Sequence, residues 1–170
     1  MNLYDDRMTS LRGYDVTGEG PHRLSEDELE ALERQLGARL PADYRAFLTT
    51  YGGYAFDQLV TFPYRQPYAG GERGVLSVFF GNLPGDAYDL LRNRNTYRGR
   101  VPSDLLPVAT DPGGNLIALA LGGEHKGKLY FWDHEEEEMV EEGKAPGYSN
   151  VYLIANSFDD LMDSLKIEPD

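Results

Sequence analysis

Ser25-Glu-Asp-Glu-Leu-Glu-Ala-Leu-Glu-Arg-Gln-Leu-Gly37 is the stretch from which the fold prediction starts, because it carries the clearest helix signal in the chain. Ser25 and Glu28 have the spacing of a capping box, in which a hydroxyl and a carboxylate each accept a hydrogen bond from an otherwise unpaired backbone N–H group. Three leucines with helical spacing form the apolar face: Leu29, Leu32 and Leu36. Gly37 stands where a left-handed C-cap belongs. The pattern therefore predicts an amphipathic helix between Ser25 and Gly37.

A second short helix is predicted directly after the first one. Pro41 is tolerated in a first helical turn. The apolar residues that follow it have the spacing i, i+3, i+4, i+7: Tyr44, Phe47, Leu48 and Tyr51. Gly52 and Gly53 end the pattern. Helices of this length are unstable alone, so we expect both of them to pack on a larger element.

That larger element is predicted to be a β-sheet, because the remaining apolar runs are rich in β-branched and aromatic residues and are bounded by Gly, Pro and Asp. The candidate strands are residues 55–62, 74–80, 106–110, 116–121, 128–133 and 151–155. Turn residues in 111–115 and 122–127 predict two hairpins. These hairpins would join the strands between 106 and 133 into a meander.

Two more helices complete the prediction. Residues 86–97 are compatible with one middle helix, and residues 158–165 with a C-terminal helix capped by Ser157. Strands grouped between helices favour an α+β fold. The expected architecture is a mixed, mainly antiparallel sheet of about six strands, with two N-terminal helices, one middle helix and a C-terminal helix packed against it.

The length of 170 residues suits one domain with a single core. Residues 1–23 show no sustained periodicity and include the flexible run 18–21, so they form a predicted N-terminal extension whose order the sequence leaves open. Residues 24–170 form the predicted domain. The chain has no Cys, which excludes thiolate zinc sites, iron–sulfur clusters and a cysteine nucleophile.

The charge balance is strongly acidic, with 16 Lys and Arg against 29 Asp and Glu and a net charge of −13. Nucleic acid is therefore a poor partner, since phosphate binding needs a basic face. A basic protein partner and simple solubility remain as explanations of the acidic charge.

The polar N-terminus and the lack of a long apolar run in the sequence predict neither an export signal nor a membrane partner, so we expect a cytoplasmic protein. The oligomeric state is left open.

No motif in the sequence predicts a catalytic residue, a metal or a cofactor. Residues 122–129 resemble a phosphate-binding loop, but Leu129 stands where a hydroxyl must reach Mg²⁺, and a strand pattern follows. A hairpin loop is the better interpretation. The three histidines lack the spacing for a shared ion: His22, His125 and His134. With 29 acidic residues some carboxylate pair will always lie close, so acid–base chemistry by such a pair stays open.

Residues 133–142 hold seven acidic side chains and no Lys or Arg, which is more than half of the net charge. Like charges at this density oppose compact packing, so we expect a mobile, exposed loop after the strand that ends at Trp132. Such a loop is either merely solvated or steers a basic partner, and neighbouring Tyr130 and Phe131 would add a hydrophobic anchor. The predicted partner-binding residues are Trp132, Asp133, His134, Glu135, Glu136, Glu137, Glu138, Glu141 and Glu142.

Several short motifs follow one another along residues 24–165 in an informative order. The first group is residues 24–33, Leu36-Gly37, Leu40-Pro41, Tyr44, Phe47-Leu48 and Gly52-Gly53. The second group is residues 106–109, Asp111, Gly114-Asn115, residues 130–134, residues 155–158, Leu161 and Leu165. Together they resemble the SUKH superfamily, the Smi and Knr type domain of fungal cell-wall regulators and bacterial immunity proteins.

The resemblance implies an α+β domain with no established catalytic residues. In bacteria it implies an immunity protein that binds and blocks a cognate toxin, commonly a nuclease or a deaminase. We therefore hypothesise a non-enzymatic protein that neutralises a basic, nuclease-type toxin. The alternative is a regulatory protein-interaction module of the Smi and Knr type that is unrelated to toxins. A third hypothesis is an enzyme or nucleotide binder that uses residues 122–128.

Overall fold

The computed structural model describes residues 1–20 and 23–169, and in these residues the chain forms five α-helices and ten strands. The helices are α1 Asp5–Ser10, α2 Glu26–Leu36, α3 Ala42–Tyr51, α4 Leu90–Thr96 and α5 Phe158–Ser164. The strands are β1 Gly13–Asp15, β2 Tyr54–Phe56, β3 Val60–Pro63, β4 Arg73–Val75, β5 Val78–Phe79, β6 Leu105–Thr110, β7 Leu116–Ala120, β8 Leu129–Trp132, β9 Val151–Ala155 and β10 Lys166–Ile167. Pro21, at the end of the predicted flexible run, and His22 lie outside the described residues.

The strands form two sheets, and every pair of these strands is antiparallel. The large sheet has the order β1-β2-β5-β6-β7-β8-β9, and the small sheet has the order β10-β3-β4. The α+β prediction is confirmed, although the structure has ten short strands where about six were expected. In β7 all five residues are buried, so the core covers both faces of the large sheet at its centre.

The two N-terminal helices begin and end where the sequence predicts. The Ser25 hydroxyl accepts a hydrogen bond from the Glu28 backbone N–H, and the Glu28 carboxylate accepts one from the Ser25 N–H, each at 3.1 Å. Gly37 ends α2 in the left-handed conformation, with φ of 71°. The guanidinium of Arg45 in α3 contacts both Glu26 and Glu33 of α2 and fastens the two helices together.

The meander between residues 106 and 133 is confirmed, and β9 extends it by one strand. Its first turn is closed by the carboxylate of Asp111, which accepts hydrogen bonds from the backbone N–H groups of Gly113 and Asn115 at 2.8 Å each. Its second turn, after Ala120, leads directly into β8. The hairpin interpretation of residues 122–127 is therefore confirmed.

The sequence predicts one strand at 55–62 and one at 74–80. This prediction is wrong, because each stretch forms two short strands that belong to different sheets. The first divides into β2 and β3, and the second into β4 and β5. At the corner, the Phe56 N–H donates to the Ser77 carbonyl and the Leu76 N–H to the Val60 carbonyl. Asp57 and Gln58 stand between the two halves of the first run and Ser77 between those of the second, but periodicity does not reveal which sheet a buried residue joins.

The middle helix is shorter than the predicted 86–97. Asp89 is its N-cap and accepts a hydrogen bond from the Arg92 N–H at 3.0 Å. The other carboxylate oxygen of Asp89 accepts one from the Leu83 N–H at 2.9 Å. The residues before Asp89 therefore form a turn, with a positive φ at Gly85, instead of the first helical turn.

The N-terminal residues, whose order the sequence left open, contain α1 and β1. Strand β1 pairs with β2 at the edge of the large sheet, and Met8 of α1 is buried in the core. Arg7 donates from Nε to the Met162 carbonyl at 2.8 Å and from a terminal nitrogen to the Leu165 carbonyl. The first and last helices of the chain are thereby joined.

Replacing Ser25 by Ala is expected to lower the free energy of unfolding by about 1 kcal/mol, because the Glu28 N–H loses its partner at the start of α2. Urea unfolding followed by circular dichroism measures the change. Ser103→Ala, at an exposed serine in a loop, is the control. Equal stability of the two variants would show that this cap does not contribute.

Candidate partner-binding surface

The acidic segment, residues 133–142, lies in the connection between β8 and β9, the last two strands of the meander. It leaves β8 at Trp132, forms a one-turn 3₁₀ helix at His134–Glu136, and continues in an extended loop that returns to β9. The Asp133 N–H donates to the Asn150 carbonyl at 3.0 Å, so the two ends of this excursion are paired. The segment therefore starts at the end of β8 and is followed by the loop 143–150, which leads into β9.

Asp133 is the anchor of the acidic segment and is buried, contrary to the expectation of an exposed side chain. Its carboxylate accepts hydrogen bonds from the Tyr68 hydroxyl at 2.5 Å and from the Glu135 N–H at 2.9 Å. Its carbonyl accepts one from the side-chain amide of Asn150 at 2.9 Å. Burial, and to a smaller extent the hydrogen bond to Asp133, raises the pKa of the Tyr68 hydroxyl. The hydroxyl therefore stays protonated and acts as the donor.

The turn between β6 and β7 holds the next residue of the segment. The side-chain oxygen of Asn115 accepts a hydrogen bond from the His134 N–H at 3.0 Å. The amide nitrogen of Asn115 donates to the carboxylate of Asp111 at 2.8 Å, which fixes the orientation of the Asn115 side chain. Asp111 and Asn115 thus position the start of the acidic segment.

Glu137 is bound by an arginine that lies outside the segment. Arg100 donates from Nε and from a terminal nitrogen to the two carboxylate oxygens of Glu137, each at 2.9 Å. The same guanidinium lies over the rings of Tyr97 and Trp132, at 4.9 and 5.7 Å from their centroids. The hydrogen bond to Arg100 lowers the pKa of Glu137. Bidentate pairing and stacking together make this a well-ordered ion pair.

Trp132 is a correction to the predicted set, because its side chain is fully buried and offers no surface to a partner. Tyr97 packs edge-on against it, with ring centroids 5.6 Å apart. Phe131, on the opposite face of the strand, is also buried. The structure covers both faces of β8 at this point, so Phe131 does not add to the hydrophobic anchor that the sequence suggested.

The predicted partner-binding residues therefore divide into an inner and an outer group. The inner group is Trp132 and Asp133, which are buried, and His134 and Glu137, which are half-buried. The exposed outer group is Glu135, Glu136, Glu138, Glu141 and Glu142. Within the outer group, Glu136 accepts a hydrogen bond from the Tyr152 hydroxyl at 2.8 Å, and Glu141 pairs with exposed Lys144. An exposed pair of that kind contributes little to stability.

Three further features of the described residues bear on function. In residues 1–20 and 23–169, no three His, Asp or Glu side chains converge as ligands of one metal ion. Over the same part of the chain, no helix has both the length and the apolar character that crossing a bilayer requires. A cavity of about 240 Å³ lies beside the acidic segment, and Arg100, Glu137 and Lys144 contribute to its lining.

The fold and this surface define an α+β domain whose meander carries an anchored acidic loop. A solved structure described as a protein from Pseudomonas syringae pv. tomato shares the fold, with a TM-score of 0.52 and 20% identity over 81% of this chain and 89% of that one. Residues 23–164 match the SMI1 / KNR4 family (SUKH-1), and the chain belongs to this family.

A curated relative extends the comparison. The chain is 32% identical over 165 aligned residues to the SPbeta prophage-derived uncharacterized protein YokK of Bacillus subtilis (strain 168). The alignment covers 89% of this chain and 80% of that relative. The resemblance stated from the sequence motifs is thereby confirmed at the level of the family.

Replacing Asn150 by Ala is expected to lower the free energy of unfolding by about 1–3 kcal/mol, because the buried carbonyl of Asp133 loses its shorter hydrogen bond and keeps only the one from the Glu136 N–H at 3.3 Å. Amide hydrogen exchange in residues 134–142 should accelerate more than exchange in β6 and β7. The neighbouring exposed residue gives the matched control, Ser149→Ala. Unchanged exchange in the segment would contradict the anchoring role of Asn150.

Acidification is expected to release Glu137 from Arg100. Because the pKa of Glu137 is lowered in the folded protein, the pair contributes stability above the ordinary glutamate pKa of about 4.5, and this contribution is lost as the pH falls through the lowered value. Trp132 is the single Trp, so its fluorescence reports on the stacked Arg100 during an acid titration. Arg100→Gln should abolish the transition, and Arg98→Gln should retain it. A transition that persists in Arg100→Gln would assign it to another group.

Proposed function

We propose that this chain is a non-enzymatic protein that binds and neutralises a cognate basic toxin of the nuclease type, through the exposed outer glutamates of the acidic segment. The observation that carries the proposal is the anchored attachment of that segment, with Asp133 and Glu137 bound at its base. Family membership is compatible with this function.

The charge distribution supports a basic partner. The net charge is −13, and seven of the acidic residues lie in the acidic segment. A concentrated negative field attracts a basic protein over long range and raises the association rate. A toxin that acts on nucleic acid needs a basic face for phosphate groups, and an acidic inhibitor is complementary to that face.

The anchoring of the segment supports binding over mere solubility. A freely mobile loop loses conformational entropy when a partner orders it, and that loss weakens binding. Here the hydrogen bonds of Asp133, His134 and Glu137 already fix the backbone at the base of the segment. The backbone that carries Glu135 and Glu136 is consequently held before any partner arrives.

The relative from Bacillus subtilis also favours the toxin-related function over the regulatory alternative. Its name describes it as prophage-derived, so a chain 32% identical to this one is carried by a mobile genetic element. Such a setting suits an inhibitor that protects its own cell better than it suits a subunit of a cellular assembly.

The product of the gene next to that of this chain is the probe for the first test. Expressed alone in a bacterial host, it should arrest growth, and co-expression of this chain should restore growth through a stable complex. Absence of growth arrest, or arrest that this chain does not relieve, would contradict the proposal.

Removing three outer charges by Glu135→Gln, Glu136→Gln and Glu138→Gln is expected to slow association with that product about tenfold at low salt. The dependence of the association rate on salt should also become flatter. Stopped-flow or surface plasmon resonance at several salt concentrations measures both quantities.

The matched control removes the same number of exposed charges elsewhere, by Asp27→Asn, Glu30→Gln and Glu72→Gln. This control should associate nearly as fast as the native chain. If the two triple variants slow association equally, the effect comes from net charge, and the acidic segment is not the contact surface.

A further inference from the structure

A groove lies on the open part of the large sheet, where four adjacent strands contribute its floor. The floor residues are Leu105, Ala120, Tyr130, Val151 and Leu153. Its volume is about 510 Å³, which falls in the range of ~300–1,000 Å³ typical of pockets that hold small molecules. We name it the Tyr130 groove.

The groove is open because the residues that pack on this face of the large sheet reach only as far as Trp132. Tyr97, which follows α4, packs on Trp132 and leaves that ring fully buried. Tyr130 stands two residues earlier on β8 and so points to the same face, but its ring is only half-buried. Beyond Tyr97 the side chains of Tyr130 and Leu153 are therefore partly accessible, whereas Leu105, Ala120 and Val151 are buried.

Tyr148 forms a wall of the groove in a fixed position. Its side chain is 51% exposed, and its hydroxyl donates a hydrogen bond to the carboxylate of Asp104. A large ring that is already held in place loses little freedom when a partner packs against it. This property makes tyrosine frequent among the residues that dominate binding energy.

The groove adjoins the acidic segment through the chain that returns to β9. Residues 147–151 line two recesses. Gly147, Ser149 and Asn150 line the cavity beside the acidic segment, and Tyr148 and Val151 line the groove. The two recesses share this stretch as a common wall. A protein bound to the outer glutamates is consequently within reach of the groove.

We propose that the Tyr130 groove receives an aromatic or long aliphatic side chain of the basic toxin, next to an arginine or lysine of the toxin that contacts the acidic segment. The inference rests on the proposed function for the identity of the partner. The polar side chains of the rim are Gln66, Asp104 and, from the β7–β8 hairpin, His125 and Lys128. Because these side chains share no single charge, the apolar floor selects the occupant.

The two contacts have different kinetic roles. Long-range attraction by the acidic segment acts on the association rate, whereas burial of an apolar side chain in the groove acts on the dissociation rate. A variant of the groove should therefore shorten the lifetime of the complex without changing its dependence on salt.

The kinetic test uses the neighbouring-gene product and the full chain. Tyr148→Ser is expected to raise the dissociation rate about tenfold, and Tyr148→Phe, which keeps the ring but loses the hydrogen bond to Asp104, should raise it much less. The control is Tyr14→Ser, at a tyrosine 45% exposed on β1 at the opposite edge of the sheet. If Tyr148→Ser and Tyr14→Ser dissociate at the native rate, the groove inference is overturned while the proposed function stands.

A second test needs no toxin and uses two synthetic peptides, acetyl-Arg-Trp-Arg-amide and acetyl-Arg-Ser-Arg-amide. The tryptophan peptide should shift the methyl resonances of Leu105, Val151 and Leu153 in NMR spectra, and the serine peptide should not. Leu153→Ser should abolish those shifts. Equal shifts by the two peptides, or shifts confined to residues 134–142, would overturn the inference.

The oligomeric state provides the remaining outcome. A concentration-dependent dimer that Tyr148→Ser dissociates in sedimentation velocity would show that a second copy of this chain fills the groove, and it would overturn the proposed occupant. A monomer that binds the tryptophan peptide would support the groove as an anchor site. If the neighbouring-gene product then fails to bind, the proposed function is contradicted, whereas the groove is still supported as a binding site for an aromatic side chain.

Discussion

The buried carboxylate of Asp133 is the group on which the arrangement of the binding surface depends. It accepts hydrogen bonds from Tyr68, in the connection between β3 and β4, and from Glu135 in the acidic segment. The carbonyl of the same residue is held by Asn150, directly before β9. A buried carboxylate is tolerated only where donors replace the lost water, so these contacts depend on one another. One residue thus connects three parts of the chain that are far apart in sequence.

Arg100 has the complementary role, because it places a positive charge at the base of an otherwise acidic loop. The Glu137 carboxylate is neutralised there, next to the rings of Tyr97 and Trp132, where an unpaired charge would be costly. Farther out, the glutamates remain exposed to solvent. The acidic segment can therefore pack against the sheet and still carry a strong negative charge at its surface, because the glutamate that is packed and the glutamates that are exposed are different residues.

Local signals in the sequence predict most of the secondary structure, and contacts between distant residues account for the differences. The Ser25 capping box and the turn at Asp111 are complete within a few residues, so their patterns predict the observed structure. The division of residues 55–62 and 74–80 between two sheets depends on which strands meet across the core. The burial of Asp133 and Trp132 depends on Tyr68 and Tyr97, which the charge pattern of residues 133–142 does not reveal. The Tyr130 groove likewise has no local signal, because its residues come from four strands.

The contact of Arg7 with the backbone of α5 and of Leu165 brings the first and last helices side by side. Helix α5 also contacts β9, the edge strand of the large sheet. A neighbouring domain attached near either helix would therefore emerge from one region of the molecule. Tandem or inserted copies of this domain would need only short linkers.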